Sequence, residues 1–310
     1  MNRILLFFIF SLLISCEDII YPDLVTNDPI LVVDAWLNNL EEEQIIKLSK
    51  TQGYLNNASP ISALGAEVNV LDGDGNIFSF QDMGDGNYIW TPTNDFRTLG
   101  DIGTEFYLSI TYDGKNIISS SSLNRTSTID SVNFVRGQIP SGSYYAEFWS
   151  REEKGVGDAY WIKAYKNGER LATSQDIITC LDAGASSEGA IIDGIPFIPP
   201  IRRSITRFEQ DDENNLLSPY EKGDSLYVEI HSITYEAFDF LNKVSIQINR
   251  PGGFSELFAV SLSNSPTNLV VSNDSSYPVV GFFCISAVDG HGNVLDDVEI
   301  EKIERYGREW

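Results

Sequence analysis

Short runs that alternate apolar and polar residues, separated by Asp-Gly or Gly-rich turns, are the sequence feature that most constrains this fold. Residues 105–112 show the pattern clearly, because Phe106, Leu108 and Ile110 are apolar and most of their neighbours are polar. Side chains of a β-strand point alternately to the two faces of a sheet, so such a run predicts a strand with one buried face. Runs of this kind recur at regular spacing, which predicts a mainly β protein.

The spacing of these runs predicts two successive β units. About seven strands between residues 29 and 125 fit an N-terminal immunoglobulin-like β-sandwich. A Ser- and Thr-rich stretch at residues 119–128 is typical of a linker. Residues 129–310 are expected to form a second β-rich, sandwich-like domain. Its expected strands lie at residues 131–135, 144–149, 160–165, 225–230 and 279–287.

One helix is expected in the second unit, near residues 234–248. Thr234 is a good N-terminal cap, and Pro and Gly at residues 251–253 end the helix. The apolar stripe between them is predicted to pack on the second sheet, and a partner-binding face is the alternative. The residues of this stripe are Tyr235, Phe238, Leu241 and Val244.

The charge balance limits the classes of partner. The chain has 45 acidic and 21 basic residues, which gives a formal net charge of −24. Binding to nucleic acid needs clustered Lys and Arg against the phosphates, so no nucleic-acid partner is expected. Acidity that serves solubility is the preferred interpretation, and attraction of divalent cations is the alternative.

The N-terminus resembles a bacterial lipoprotein leader. Arg3 precedes an apolar stretch at residues 4–13, shorter than the ~20 residues that a membrane span needs. The stretch ends in Leu13-Ile14-Ser15-Cys16, which resembles a lipobox. We therefore expect a lipoprotein signal peptide at residues 1–15, a lipidated Cys16 and a polar tether at residues 16–28. A plain signal peptide with an incidental cysteine is the alternative.

The two other cysteines, Cys180 and Cys284, are the candidate disulfide pair. Outside the cytoplasm an isolated pair commonly forms a disulfide, provided that the fold brings the two sulfurs within bonding distance. Two buried thiols are the alternative. No metal site is expected, since a zinc site needs about four ligands and neither histidine lies near a CxxC pattern.

No motif predicts catalysis or a cofactor. The sequence lacks the GxSxG, HExxH and P-loop patterns. His231 lies at the end of an expected strand and His291 in an expected turn at residues 289–293, and neither position indicates a catalytic role. Residues 72–76 resemble a calcium loop but lack Gly and Glu at positions six and twelve, so a hairpin turn is expected there.

Aromatic residues are densest within residues 144–149. Strand alternation predicts that about half of them lie in the core. Aromatic side chains that stay at the surface can bind sugar rings or partner proteins. The cluster consists of Tyr144, Tyr145, Phe148 and Trp149.

Several segments, in this order, resemble one family. They are the lipobox, the apolar run at residues 30–37, the strand at residues 46–51, Ile129-Asp130-Ser131-Val132, the capped helix at residues 232–240 and the late strand at residues 279–284. Together they resemble the Bacteroidota lipoprotein family called domain of unknown function 4249 (DUF4249). The resemblance implies an outer-membrane lipoprotein that accompanies a TonB-dependent, SusC-like transporter. It implies no catalytic residues.

The same resemblance implies two further features. Glu17 and Asp18, which follow the lipidated cysteine, resemble the surface-export signal of that phylum. Its O-glycosylation pattern of Asp, then Ser or Thr, then an apolar residue matches Asp130-Ser131-Val132 and Asp224-Ser225-Leu226. Ser131 and Ser225 are therefore candidate glycosylation sites.

The sequence as a whole predicts a non-enzymatic, lipid-anchored protein of the outer membrane, exposed at the cell surface. We expect it to act as an accessory or ligand-binding module for a TonB-dependent transporter. A surface glycan or peptide hydrolase is one alternative, because glycosidase chemistry needs only two carboxylates. A structural or adhesive subunit of another outer-membrane complex is the other.

Overall fold

The computed structural model describes residues 28–53, 58–151, 153–155, 157–182, 205–206, 208–250, 265–272, 274 and 276–306. Strands dominate these residues, so the predicted mainly β fold is confirmed. The strands are β1 (Leu31–Asn38), β2 (Gln44–Lys50), β3 (Ile61–Ser62), β4 (Glu67–Asp72), β5 (Ile77–Asp82), β6 (Asn87–Trp90), β7 (Glu105–Tyr112), β8 (Lys115–Ser122), β9 (Thr128–Arg136), β10 (Tyr144–Arg151), β11 (Ala159–Lys166), β12 (Glu169–Arg170), β13 (Ile178–Leu181), β14 (Ser225–Ile233), β15 (Val270–Val271), β16 (Val279–Ser286) and β17 (Val288–Val294). The helices are α1 (Tyr235–Ile248) and α2 (Asp297–Tyr306).

The first sheet has ten strands, in the order β15-β8-β7-β4-β5-β6-β2-β1-β16, with β3 paired to β2. Its buried side chains form one apolar core, which includes Val33 of β1, Phe106 of β7 and Phe283 of β16. Because strands from both ends of the sheet share this core, the sheet folds over on itself and buries its apolar face.

The second sheet has five strands, in the order β12-β11-β14-β17, with β13 paired to β11. Strands β9 and β10 form a separate two-stranded ribbon. Ribbon, sheet and helix α2 share a second core, which includes Phe148 of β10, Tyr160 of β11 and Ile303 of α2. The ribbon and α2 therefore cover one face of the second sheet.

Strand β16 departs from the predicted arrangement. It was expected in the second β unit, but it pairs in parallel with β1 along its whole length, from Leu31–Val279 to Asn38–Ser286. The chain then passes through Ala287 into β17 of the second sheet. A parallel pairing between distant segments leaves no local signal, so alternation alone could not place this strand.

The prediction of a turn at residues 289–293 is also wrong, since these residues belong to strand β17. The glycines that suggested a turn serve a different purpose. A Cβ atom on Gly290 would lie 2.0 Å from Oη of Tyr227, and one on Gly292 would lie 3.1 Å from Cδ2 of the same ring. The two glycines therefore leave room for the Tyr227 ring to lie across the strand.

Helix α1 confirms the prediction, and Oγ1 of its N-cap Thr234 accepts a hydrogen bond of 3.2 Å from the backbone N–H of Ala237. Its buried residues are Ala237 and Leu241, whereas Tyr235 of the predicted stripe is exposed. The helix contacts β11, β13 and β16, so it packs on both sheets and not on the second alone.

Helix α2 had no counterpart in the prediction. It is short and strongly charged, and only three of its ten residues are aliphatic, so it gives little apolar signal in the sequence. No helix among the residues described above is both long and apolar enough to cross a membrane.

Candidate functional site

Strand alternation gives the first sheet a second, polar face. In β1, Val33 and Ala35 are fully buried in the first core, whereas Asp34 and Trp36 point to the opposite side. Lys47 of β2 lies directly opposite Asp34 in the antiparallel ladder. One alternating segment therefore supplies both core residues and polar residues.

The second sheet repeats this arrangement. In β11, Ile162 and Ala164 belong to the second core, whereas the residues between and beside them belong to the other face. In β14, Glu229 pairs with Lys163 and His231 pairs with Trp161. The two polar faces meet where β1, β11 and β14 approach one another, and we call this group the junction cluster. Its members are Asp34, Trp36, Lys47, Trp161, Lys163, Tyr165, Arg170, Tyr227, Glu229 and His231.

Aromatic rings close one end of the junction cluster. The Trp36 ring stacks on Phe282 of β16 with a centroid distance of 5.6 Å, and it meets the edge of Trp161 at 5.0 Å. Phe240 of helix α1 completes the wall, 5.0 Å from the Phe282 ring. Rings at such distances hold one another in place beyond what burial alone provides, so this end is rigid.

Glu229 lies at the centre of a buried hydrogen-bond network. Its Oε2 accepts hydrogen bonds from Oη of Tyr165 at 3.0 Å and from Nε2 of His231 at 2.9 Å. Burial lowers the pKa of His231 to about 4, although Glu229 opposes the shift, so the imidazole is neutral at pH 7 and donates through Nε2–H. Burial alone would raise the pKa of Glu229, but the bond from His231, then that from Tyr165, outweighs it and holds the pKa low.

Lys163 lies beside this network, since it pairs with Glu229 in the ladder between β11 and β14. Burial, assisted by the positive charge of Arg170, lowers the pKa of Lys163 to about 8. Its Nζ lies 4.4 Å from the centroid of the Trp161 ring, and the Arg170 guanidinium carbon lies 5.2 Å from the same centroid. Two cations therefore contact one indole, and its ring face offsets only part of the lost hydration and of the repulsion between them.

The other end of the junction cluster is open to solvent. Asp34 is exposed, yet burial by the surrounding protein raises its pKa against the opposing charges of Lys47 and Arg170. The carboxylate is accessible to solvent, and the surrounding protein removes part of its hydration. Tyr227 is 42% exposed, and its ring centroid lies 6.1 Å from that of Tyr165. A ligand can therefore reach charged groups and aromatic faces together.

The junction cluster is suited to recognition. Its charges are already held by neighbours, so little reorganisation is needed when a ligand binds. His231 bonds to a carboxylate rather than to a hydroxyl or thiol that it could activate. In the part of the chain that the structure covers, no group of three or more His, Cys, Asp or Glu side chains could hold a metal ion.

The predicted disulfide is not formed. Cys180 on β13 packs in the second core, whereas Cys284 on β16 packs against the aromatic wall with Trp161 and Phe282. The two side chains therefore lie in different apolar clusters, and the alternative of two buried cysteines holds.

The candidate modification sites differ in what the structure says of them. Cys16 lies outside the described residues. Ser131 on β9 and Ser225 on β14 are both half-buried, and Ser131 Oγ accepts a hydrogen bond of 2.8 Å from Asn133 Nδ2. Glycosylation of either serine stays a prediction.

The hairpin predicted at residues 72–76 is confirmed, because β4 and β5 pair across it. Asp72 Oδ1 accepts the backbone N–H groups of Asp74 and Asn76 at 3.0 and 2.8 Å. This carboxylate therefore stabilises the turn.

Sequence reasoning missed the junction cluster, although the sequence carried a signal for it. Asp34 and Lys163 are single charged residues inside runs that are otherwise apolar and aromatic. A charged side chain between buried neighbours must lie on the opposite face of the strand. It indicates that this face also contacts polar groups of the protein. What sequence could not show is that β1, β11 and β14 meet.

The fold and this site define a mainly β protein with a charged and aromatic cluster between two sheets. The family described as domain of unknown function (DUF4249) matches residues 17–290, and the chain belongs to this family. The predicted membership of DUF4249 is therefore confirmed. A search of curated proteins found no match.

Proposed function

We propose that this protein is a non-enzymatic, lipid-anchored module of the outer membrane that binds a ligand at the cell surface for a TonB-dependent, SusC-like transporter. The observation that carries the proposal is the junction cluster, in which accessible charges and aromatic faces are held in place between two sheets. Ligand sites occur preferentially at interfaces between structural units, where a few polar groups converge among aromatic side chains.

The network around Glu229 supports binding by a prearranged site. Tyr165 and His231 orient the Glu229 carboxylate from two sides. A polar group fixed in this way loses less conformational entropy when a ligand arrives, which increases affinity. Lys163 and Arg170, placed around the Trp161 ring, add cationic groups beside the carboxylates.

The proposed anchor rests on the sequence around Cys16. With a formal net charge of −24, the chain gains no attraction to anionic lipid, so acyl chains on Cys16 would have to supply the membrane affinity. Anchoring raises the effective concentration of the module beside a membrane partner. The SusC-like partner follows from the family resemblance.

A pull-down from the native host tests the proposal. Tagged wild-type protein, extracted in mild detergent, is expected to recover a TonB-dependent barrel with a plug domain, whereas Cys16→Ala is expected to fold normally and to lose the barrel. Deletion of the gene is expected to impair uptake of one nutrient. A wild-type pull-down without any such barrel would contradict the transporter partnership, and a fully active Cys16→Ala protein would contradict the role of the anchor.

A further inference from the structure

We infer that a cavity between the β9–β10 ribbon and helix α2 is a binding site for a neutral saccharide, separate from the junction cluster. The cavity has a volume of about 210 Å³. Its lining includes Asn133 of β9, Glu147 and Trp149 of β10, and Glu299, Lys302 and Tyr306 of α2. Helix α2 lies beyond the residues that match the family, so this site joins a family segment to one outside the match.

Trp149 and Tyr306 are the solvent-accessible aromatic side chains of the cavity. Trp149 is partly exposed, and its Nε1 donates a hydrogen bond of 3.0 Å to Oε1 of Glu147. This bond fixes the orientation of the indole and engages its N–H, so the contact that a ligand makes with the ring is mainly apolar. Tyr306 at the end of α2 is 80% exposed. A pyranose ring has an apolar C–H face that packs against such rings.

Hydrogen-bond donors and acceptors surround these two rings. Glu147 and Glu299 are only 4% and 8% exposed, so they are oriented by the fold. Lys302 Nζ lies 3.2 Å from Oε2 of Glu299, and Asn133 contributes a side-chain amide. Each sugar hydroxyl both donates and accepts a hydrogen bond, so it can bond to carboxylate, ammonium and amide groups in one place.

The charges of the cavity favour a neutral ligand. Glu299 is paired with Lys302, and Glu147 accepts the indole N–H of Trp149. An anionic ligand would have to approach both carboxylates, which costs electrostatic energy in a partly desolvated site. Saccharides without acid groups avoid this cost and still use the hydrogen-bonding groups.

Calorimetry on the full-length, detergent-solubilised lipoprotein tests the site. The probes are hexasaccharides of α-1,4-glucan, β-1,4-glucan, β-1,3-glucan, β-1,4-xylan and β-1,4-mannan, with a hexasaccharide of galacturonic acid as the acidic comparison. At least one neutral hexasaccharide is expected to bind. Tyr306→Ala, whose side chain is too exposed to affect folding, should weaken binding about tenfold, and Trp149→Ala should weaken it further. Trp149→Phe, which keeps a ring, should retain part of the affinity.

Tyr107→Ala, which removes a 48% exposed aromatic ring on β7 of the first sheet, is the matched control and should bind the sugar as the wild type does. Failure of every neutral probe, tighter binding of the galacturonic acid hexasaccharide, or unchanged affinity in both Tyr306→Ala and Trp149→Ala would overturn the inference. None of these results depends on a transporter, so the saccharide site and the transporter partnership can fail separately.

Discussion

The two faces of β1, β11 and β14 differ in chemistry although each strand supplies both. Toward the cores, Val33, Ile162 and Val228 are buried among apolar side chains. Toward the junction, the alternate residues Asp34, Lys163 and Glu229 form hydrogen bonds or interact with charged groups. The comparison shows that alternate side chains of one strand have different roles. Those that face the core stabilise the fold, and those that face the junction form the candidate binding site. Substitutions on one face should change folding, and those on the other should change pH dependence and binding.

The largest effect is expected on the core face. Phe283→Ala removes a fully buried ring from the first core and should lower the free energy of unfolding by about 3–5 kcal/mol. Val280→Ala on the same strand is the control, because this side chain is 37% exposed and its loss should cost less than ~1 kcal/mol. Urea denaturation measures both. Equal losses would contradict the separation of the two faces.

A smaller effect is expected from His231 on the junction face. Its pKa is about 4 in the fold and about 6.5 in the unfolded chain, so acidification protonates the unfolded state first. The stability that neutral His231 provides is present above pH 6.5 and is lost as the pH falls. Between pH 6.5 and 4.5 the wild type should lose roughly 2 kcal/mol more than His231→Gln.

The chain provides a matched control for this measurement. His291 is exposed on β17, so His291→Gln should follow the wild-type pH dependence of the urea midpoint. The comparison stops at pH 4.5 because the low pKa of Glu229 brings its own loss of stability at more acidic pH. The same acid dependence in His231→Gln as in the wild type would show that the imidazole is not held neutral.

Lys163 should produce a pH dependence of the same sign at alkaline pH, because its pKa is also lowered by folding. Its pKa is lowered from 10.5 to about 8 in the fold, so between these values the unfolded chain binds the extra proton and stability rises with pH. Lys163→Met should abolish this rise, which we expect to be about 1–2 kcal/mol because solvent partly reaches the site. Lys222→Met, at a side chain that is 59% exposed, should keep the wild-type rise.

Local signals were enough to predict the parts of the fold that depend on neighbours in sequence. Alternation marked β7, and Thr234 with the following apolar residues marked α1. The missed features depend on distant contacts, such as the pairing of β16 with β1 and the pairing of the glycine-rich β17 with β14, where the Tyr227 ring lies against Gly290 and Gly292. The junction cluster belongs to this second group, because the pKa values of its side chains depend on residues that are far apart in the sequence.

The smallest effect is expected at the N-terminal cap of helix α1. One variant there tests both the stability of the fold and the pH dependence of the junction face. Thr234→Ala removes the hydrogen bond to Ala237 N and should lower the free energy of unfolding by ~1 kcal/mol, whereas Thr234→Ser should retain most of it. Because α1 supplies Phe240 to the aromatic wall and not to the charged end, the acid dependence due to His231 should be unchanged in Thr234→Ala. A changed acid dependence would show that the wall and the Glu229 network act as one unit.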